Sequence, residues 1–576
     1  MSELILTDDI IANTYIELHN KPKTDSNKES ELWNTNEYQF AILQVEIADT
    51  QVTETPQQVV FGIDISGSMS DQCADGRTKM QHIIHTTKNI IDVFSKKENN
   101  SNITVEIYGF DDAIETIIAP TKCDETTRDK IHAAINTKLN PRNSTNIEIA
   151  LKTANARLQT ALKKKTHIFM TDGQITAGET NVKKLEKYID DSYPNIFIGF
   201  GNDHDAQLLQ QLAKSINNSY YYIDHVETAG LAYGEICHAI LYPALQDITI
   251  TINNGEIYDF RTNTWNKELQ IASLLGEAKK TYHLRTTTPE LLSAEISAST
   301  NDHEKMEEHV DILPALKNED LIQLPKDLTK YFYRQRTQEL LYGVQQCIKK
   351  QEDQDQDQDQ DQDQDQDQDQ DQDQDQDQDQ EQDQDQDQEQ DQEQDQEDQQ
   401  DKKRKTVKEH YDKLKTFLKN MKNYMIENNV TDDEFMKNLC DDIGITLTAL
   451  KTANKNLVAA YCTGRVLSNG TQGAYQPVLT PQKKNNRPPR INRQTNQLDE
   501  DYTPLTPVIN RSNTTQRQIE MMRYITGNDE AIDNILSPSL NDNELVKNVF
   551  KFPVLTELSE NSNELPSSLQ SFASLI

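Results

Sequence analysis

The sequence predicts an α/β protein: a doubly wound, mostly parallel sheet joined to an antiparallel β-sandwich and followed by a C-terminal helical region. Three observations lead there. Val59 to Ile63 is a short run of apolar, largely β-branched residues, the pattern of a strand buried on both faces. From residue 57 to 245 such runs alternate with segments whose apolar residues recur every three or four positions, as in a parallel sheet wrapped by helices. After Pro243 short strand-like runs follow one another with no helix between them, the habit of an antiparallel sandwich.

Taken in order, residues 1–36 are polar and weakly patterned and read as a flexible lead-in with room for one strand near 10–18. Residues 38–48 alternate, with Phe40 and Ile42 on one face and Ala41, Leu43, Val45 and Ile47 on the other. That is a half-buried strand, unlike the continuous apolar runs of the parallel sheet. It is expected to belong to the sandwich, which makes the α/β domain at 57–245 an insertion with its ends close together. Thr78 and Gln81 have capping-box spacing, and Ile83, Ile84, Thr87, Ile90, Ile91 and Phe94 then mark a helix. Strands at 103–110 and 114–119 flank the turn Asp111-Asp112. Helices are expected at 126–135 and from Thr145, then a strand at 167–171 ending in Asp172-Gly173. Helix 181–189, strand 196–200, helix 206–214, strand 220–223 and helix 230–241 complete the domain. The sandwich strands read as 248–252, 256–260, 270–274, 280–284 and 292–297 within 246–300. A helical extension at 301–350, with its helix at 328–350, leads to a repeat at 351–401. A helical region at 402–475 and a largely disordered tail at 476–576, with a helix at 515–525, follow.

The formal net charge of the 576 residues is −38, but 26 Asp or Glu and no Lys or Arg lie between 352 and 401. The charge therefore belongs mainly to an Asp-Gln repeat, and the rest is mildly acidic. Without a dominant basic surface a nucleic-acid partner is not expected. The repeat contains no apolar residue, so burial cannot offset the entropy of ordering it, and a disordered, self-repelled tract is expected. Repeat expansion without a specific role is the plainer reading beside cation buffering or partner capture. The basic stretch 483–493 has no interleaved aromatic residue and reads as a solvated linker. The N-terminus lacks a basic n-region and an apolar h-region, so no secretory signal is expected. No run approaches the roughly 20 apolar residues that span a bilayer. The six cysteines are far apart and form no C-x-x-C pair. Reduced thiols in an intracellular, cytoplasmic setting are the resulting expectation.

Chemistry gathers at the predicted strand ends. Asp64, Ser66 and Ser68 stand at alternate positions with Gly67 between the serines. In open α/β folds, ligands sit outside the carboxyl ends of the strands. One carboxylate and two hydroxyls suit a hard cation such as Mg2+, although Asp, Ser and Gly are also common in turns. Thr145 opens a helix after Asn140-Pro-Arg-Asn-Ser144, and Asp172 closes the strand Ile168-Phe-Met-Thr171. Each has an ordinary alternative: Thr145 with Glu148 fits a capping box, and Asp172-Gly173 fits a turn.

With this set the chain resembles the von Willebrand factor A family, and the three pieces match its metal-ion-dependent adhesion site over about 57–245. The resemblance implies a Rossmann-like fold. It also implies that Ser66, Ser68 and Thr145 ligate Mg2+ or Mn2+ through their hydroxyl oxygens, with Asp64 and Asp172 acting directly or through water. The family often has glycines before the threonine, where this chain has Arg142-Asn143-Ser144, and residues 71–77 lengthen the link to the first helix. The surroundings resemble a subgroup in which the A domain lies inside a β-sandwich and precedes a helical region; Thr463-Gly-Arg465 and Gln472-Gly-Ala-Tyr475 fit it. The Asn, Ile and Lys bias and the repeat resemble A-domain proteins of large DNA viruses. The implied function is metal-dependent protein binding or scaffolding, engaging an Asp or Glu of a partner, rather than enzymatic. A hydrolase or phosphotransferase using Asp64 or Ser66 is the alternative. Against it, the sequence has no G-x-S-x-G elbow and no G-x-x-x-x-G-K-[ST] loop, and His167 and His225 are isolated. A ubiquitin-pathway adaptor lacking a RING is a further one.

Deleting residues 352–400 is expected to leave folding intact, because loop closure changes by only about 0.6 kcal/mol per doubling of loop length. An unchanged melting temperature for the deletion variant checks this; loss of soluble protein contradicts it.

Overall fold

Alternating apolar faces near the N-terminus build a sheet separate from the parallel one. The computed structural model describes residues 10–19, 38–50, 55–73, 76–96, 102–159, 164–201, 204–223, 229–300, 305–311, 327–368, 406–451, 455–475 and 514–526. β1 (Ile11–Leu18) pairs antiparallel with β2 (Gln39–Ile47), so the one strand for which the lead-in has room near 10–18 is present, at the edge of a sheet. Both faces of β2 are covered. Ala41, Leu43, Val45 and Ile47 enter the sandwich core, and Phe40 and Ile42 pack against Leu328 and Phe332.

Between β2 and its sandwich partners the chain builds a six-stranded mixed sheet. Its strands are β3 (Gln57–Asp64), β4 (Ile103–Phe110), β5 (Ile114–Lys122), β6 (Lys164–Thr171), β7 (Asn195–Phe200) and β8 (Ser219–Ile223), in the spatial order β5-β4-β3-β6-β7-β8. β5 alone runs antiparallel, on β4. The period-two pattern divides the core. Val59, Phe61 and Ile63 face one layer with α1 (Lys79–Ser95), α2 (Arg128–Lys138) and α6 (Ala229–Leu241). Val60 faces the other, with α3 (Ile147–Gln159) and α5 (Ala206–Leu212). Where the sequence predicts one helix at 181–189, a short α4 (Val182–Leu185) passes into a 3-10 turn.

The chain returns to the sandwich after α6. One sheet has the order β1-β2-β13-β10-β11, the other β12-β9-β14-β15. These comprise β9 (Pro243–Asn253), β10 (Glu256–Asp259), β11 (Thr264–Asn266), β12 (Glu268–Leu275), β13 (Lys279–Thr286), β14 (Ser293–Thr300) and β15 (Lys305–Asp311). β13 pairs with β2 in a continuous register from Lys279↔Glu46 to Thr286↔Gln39, so the α/β domain is inserted between paired strands. The expected helical extension at 301–350 thus begins with a strand. Met306 and Val310 of β15 turn inward, a pattern too short to separate from a helix by periodicity alone.

α7 (Thr329–Gln368) continues into the Asp-Gln repeat. The sequence expectation for this tract is disorder from 351, and the helix is described as far as Gln368. Once a packed segment has supplied the nucleus, each further residue is added at little cost. Residues 369–405 lie outside the described residues. A helix at 406–427 (α8), α9 (Glu434–Leu450) and α10 (Lys455–Thr471) extend the α3 and α5 side of the core. Within them Arg465 and Asp442, both fully buried, are paired at 3.1 Å. The corner after α10 fastens the domain to the sandwich. Glu235 accepts the Ala474 and Tyr475 amides at 3.1 and 2.8 Å, Lys280 donates to the Thr471 and Gln472 carbonyls, and Gln472 pairs with the Thr281 backbone.

Within the tail expected to be largely disordered, α11 (Gln516–Thr526) docks on α6. Met522 and Thr526 lie over Gly234 and Gly230, and Arg517 pairs with Asp49 at 2.7 Å. A Cβ on Gly234 would stand 2.7 Å from the Met522 Cα, so side chains are excluded there by the close approach of two backbones. Gly234→Leu is expected to undock α11 and destabilise the protein by about 1–3 kcal/mol. Faster hydrogen exchange and proteolysis across 514–526 check it.

Candidate metal site at the sheet switch point

β3 has β4 on one side and β6 on the other, so the crossovers leave it in opposite directions. A crevice opens outside the strand ends at such a switch point. Asp64 is the last residue of β3, and Asp172 follows β6. Both carboxylates have no solvent exposure.

Asp64 accepts the Ser66 amide on Oδ1 at 2.8 Å and the Thr171 hydroxyl on Oδ2 at 2.6 Å. This bends the chain so that Ser66 leads into a 3-10 turn at Gly67–Ser70. Ser66 Oγ then lies 3.2 Å from Ser68 Oγ, which donates to Asp172 Oδ1 at 2.8 Å. The Thr145 and Ser68 hydroxyl oxygens stand 3.4 and 3.7 Å from the place a Cβ on Gly173 would occupy. The absent side chain leaves space beside both. All five residues singled out from the sequence, Asp64, Ser66, Ser68, Thr145 and Asp172, therefore meet at one rim.

The capping-box reading of Thr145 does not hold. Asn146 caps α3, accepting the Ile149 amide at 3.2 Å, and Glu148 pairs with Lys152 instead. Thr145 is fixed through its backbone, by the Thr176 hydroxyl on its amide and by the Thr176 and Ala177 amides on its carbonyl.

The segment that replaces the glycines is braced by charge. Asp111 accepts Arg142 Nε at 2.7 Å, Asn143 Nδ2 at 3.0 Å and the Ala113 amide at 2.8 Å. Burial would raise its pKa, but these bonds outweigh it and hold the carboxyl below its ordinary value. Asn143 takes φ +56°, the left-handed region that Asn tolerates better than most residues. Its carbonyl accepts the Gly67 amide, and the Arg142 amide donates to the Ile65 carbonyl. Arg142, Asn143 and Asp111 thus shape the loop that glycines were expected to shape, while Gly67 is not among the glycines at positive φ.

Lys79, the first residue of α1, is one of the residues at the candidate site that sequence reasoning missed. Its Nζ lies 2.7 Å from Asp172 Oδ2 and 3.6 Å from Asp71 Oδ2. The available signal was Thr78, whose capping box with Gln81 fixes the helix start and so the root of the lysine. Thr171 and Asp111 were missed as well, because their roles depend on partners far along the chain.

The donor chemistry fits a hard divalent ion. Two oxygens bound at right angles to one Mg2+ at about 2.1 Å lie about 3.0 Å apart, close to the 2.8 and 3.2 Å contacts within the Asp172–Ser68–Ser66 chain. Every donor is an oxygen, and only two carry formal charge. Among the described residues no group of three or more His, Cys, Asp or Glu forms an alternative metal cluster. His167 is buried in the sheet core, in contact with Tyr108 and Asn195, where burial lowers its pKa to about 4. His225 lies outside the described residues.

Burial pushes the Asp64 pKa up to about 6 despite the bonds from Thr171 and Ser66, with the Asp172 charge adding to the rise. The folded state then holds a proton that the unfolded chain releases near 3.8. Stability in EDTA is expected to fall as pH rises from about 4 to about 6. Asp64→Asn should lack this part of the fall and melt higher than wild type at pH 8 in EDTA. Parallel melting curves against pH check the difference.

No curated protein matches the chain. Similar solved structures include a von Willebrand factor type A protein from Catenulispora acidiphila, at 13% identity and a TM-score of 0.40, covering 60% of this chain and 82% of that one. The ArnB paralog VWA2 from Sulfolobus acidocaldarius is similar at 11% identity and a TM-score of 0.41, over 80% and 97% of the two chains. The PilB minor pilin from Streptococcus sanguinis is similar at 13% identity and a TM-score of 0.29, over 40% and 78%. The family model of the von Willebrand factor type A domain matches residues 58–232, the span from the second residue of β3 into α6. The inserted α/β unit is therefore a von Willebrand factor type A domain, a domain type that suggests a protein-interaction or scaffold role.

Proposed function

We propose that this protein is a divalent-metal-dependent binding or scaffold protein whose site takes an Asp or Glu carboxylate from a protein partner. One observation carries the reading. Five oxygen-bearing side chains from three separate segments are brought to one rim, with only two formal negative charges among them. Ser66, Ser68 and Thr145 would hold Mg2+ or Mn2+ through hydroxyls, with Asp64 and Asp172 completing the set directly or through water. When bound, the ion supplies a strongly electrophilic position that favours an anionic oxygen. The chain's own residues do the rest. Asp64 orients the Ser66 backbone, Asp172 orients the Ser68 hydroxyl, and Asp111 with Arg142 holds the segment leading to Thr145.

The alternative of nucleophilic catalysis has less support. Ser66 Oγ neighbours another hydroxyl, that of Ser68, whereas activation requires a base within hydrogen-bond reach. Six free cysteines fit an intracellular place of action, and no described helix is long and apolar enough to cross a membrane.

Mg2+ or Mn2+ is expected to raise the melting temperature, by the equivalent of about 2.7 kcal/mol at one hundred times the dissociation constant. Asp64→Ala, Asp64→Asn and Thr145→Ala should each abolish the rise. Affinity capture in Mg2+ against EDTA, with wild type and Asp64→Asn, reads the partner. Retention should disappear in EDTA, in the variant, and when one acidic residue of the partner becomes its amide. Equal retention with and without metal would overturn the reading.

A further inference from the structure

We propose that Lys79 is a tethered cation that competes with the divalent ion for Asp172 and thereby sets the metal affinity of the site; this rests on the metal-binding reading above. The two oxygens of Asp172 have different partners. Oδ1 accepts the Ser68 hydroxyl and belongs to the oxygen set at the rim. Oδ2 accepts the Lys79 ammonium at 2.7 Å. The carboxylate is fully buried, and the lysine side chain is only 13% exposed, so water screens the contact weakly.

The position of the ammonium is built into the fold. Thr78 accepts the Gln81 amide, and the Gln81 side chain accepts the Thr78 amide in return, which fixes the first turn of α1. The Lys79 amide donates to the Asp71 carbonyl, and the bridge between Gln72 and Thr78 closes the intervening loop. Asp71 and Gln72, at the start of the link read from the sequence as lengthened, thus hold Thr78 and Lys79 at its end, and the first helical side chain is delivered onto Asp172.

The electrostatic consequence follows from charge. Without a cation, Asp64 and Asp172 would be two carboxylates sharing a desolvated site, an arrangement that resists double ionisation. Lys79 neutralises one of them, and so holds the site together without metal. An arriving divalent ion needs the same carboxylate and meets a positive charge already bonded to it. It must displace the ammonium or bind against its repulsion. The lysine therefore stabilises the metal-free domain and weakens metal binding, two effects of opposite sign from one contact. A residue that merely packed the site would support both states alike.

The test uses the full chain and titration with Mn2+, reading free Mn2+ by electron paramagnetic resonance and, separately, the melting temperature. Lys79→Met keeps most of the stem and removes the charge. It should bind Mn2+ about tenfold more tightly than wild type, the equivalent of about 1.4 kcal/mol, while melting lower than wild type in EDTA. Lys79→Arg keeps the charge and should stay near the wild-type affinity. Lys79→Gln serves as a second neutral variant should the methionine variant fail to fold. Tighter binding by neutral variants with a lower metal-free melting temperature supports the proposal. Equal or weaker binding by both neutral variants overturns it. Asp64→Asn in the same titration separates the two readings. If wild type binds and Asp64→Asn does not, equal affinity of Lys79→Met and wild type overturns only the role of the lysine. If neither wild type nor any Lys79 variant binds Mn2+, the metal reading and the proposal fall together.

Discussion

Two carboxylates with no solvent exposure, at the ends of neighbouring strands, are costly to keep in a folded protein. Ionised groups taken from water must regain in fixed bonds what hydration supplied. Asp64 recovers part of this from the Ser66 amide and the Thr171 hydroxyl, yet burial still leaves its pKa raised. Asp172 is compensated by a hydroxyl and an ammonium. The 3-10 turn after β3, the loop that returns to α1 and the placement of Ser68 are all tied into these bonds. The same desolvation that makes the pair expensive is what would make a cation effective there, because charges interact more strongly where water is excluded.

The loop before α3 shows how one backbone shape can arise from different residues. Asn143 supplies the left-handed conformation, and the Asp111–Arg142 pair supplies the bracing. Arg142 also reaches Glu115 of β5, so the antiparallel edge of the sheet contributes to the position of Thr145. A ligand-bearing loop is thereby held by a strand that offers no ligand of its own.

Around the domain, the sandwich and the C-terminal helices act as a frame. β2 and β13 pair directly across the insertion, which brings the two ends of the domain together. The 472–475 corner then ties α6 to β13 through Glu235, Lys280 and Gln472. Buried polar groups of this kind are expensive unless satisfied, and when satisfied they specify one arrangement. α11 adds a second tie, lying on α6 and reaching α1 through the bond from Asn89 to the Ile525 carbonyl.

The sequence by itself determined what depends on neighbours along the chain. The buried strands of the parallel sheet, the helices between them, the alternation of β2 and the oxygen set Asp64, Ser66, Ser68, Thr145 and Asp172 were legible because periodicity and motif spacing are local, whereas the covering of the Phe40 and Ile42 face of β2 by Leu328 and Phe332 was not. Weak or mixed patterns were less legible. β1, β11 and β15 are short or polar strands whose state is decided by the sheet edge they join, and the first part of the Asp-Gln repeat follows the helix already packed before it. Tertiary structure alone decided which polar residues serve the site. Asp111 and Lys79 look like a turn residue and a surface lysine until the fold sets them beside Arg142 and Asp172. Thr145 leaves the capping role to Asn146 because loop contacts from Thr176 and Ala177 hold its backbone. Hydrogen bonds and ion pairs act over about 3–4 Å in space regardless of separation along the chain, so no local reading of residues 93 positions apart could have paired Lys79 with Asp172.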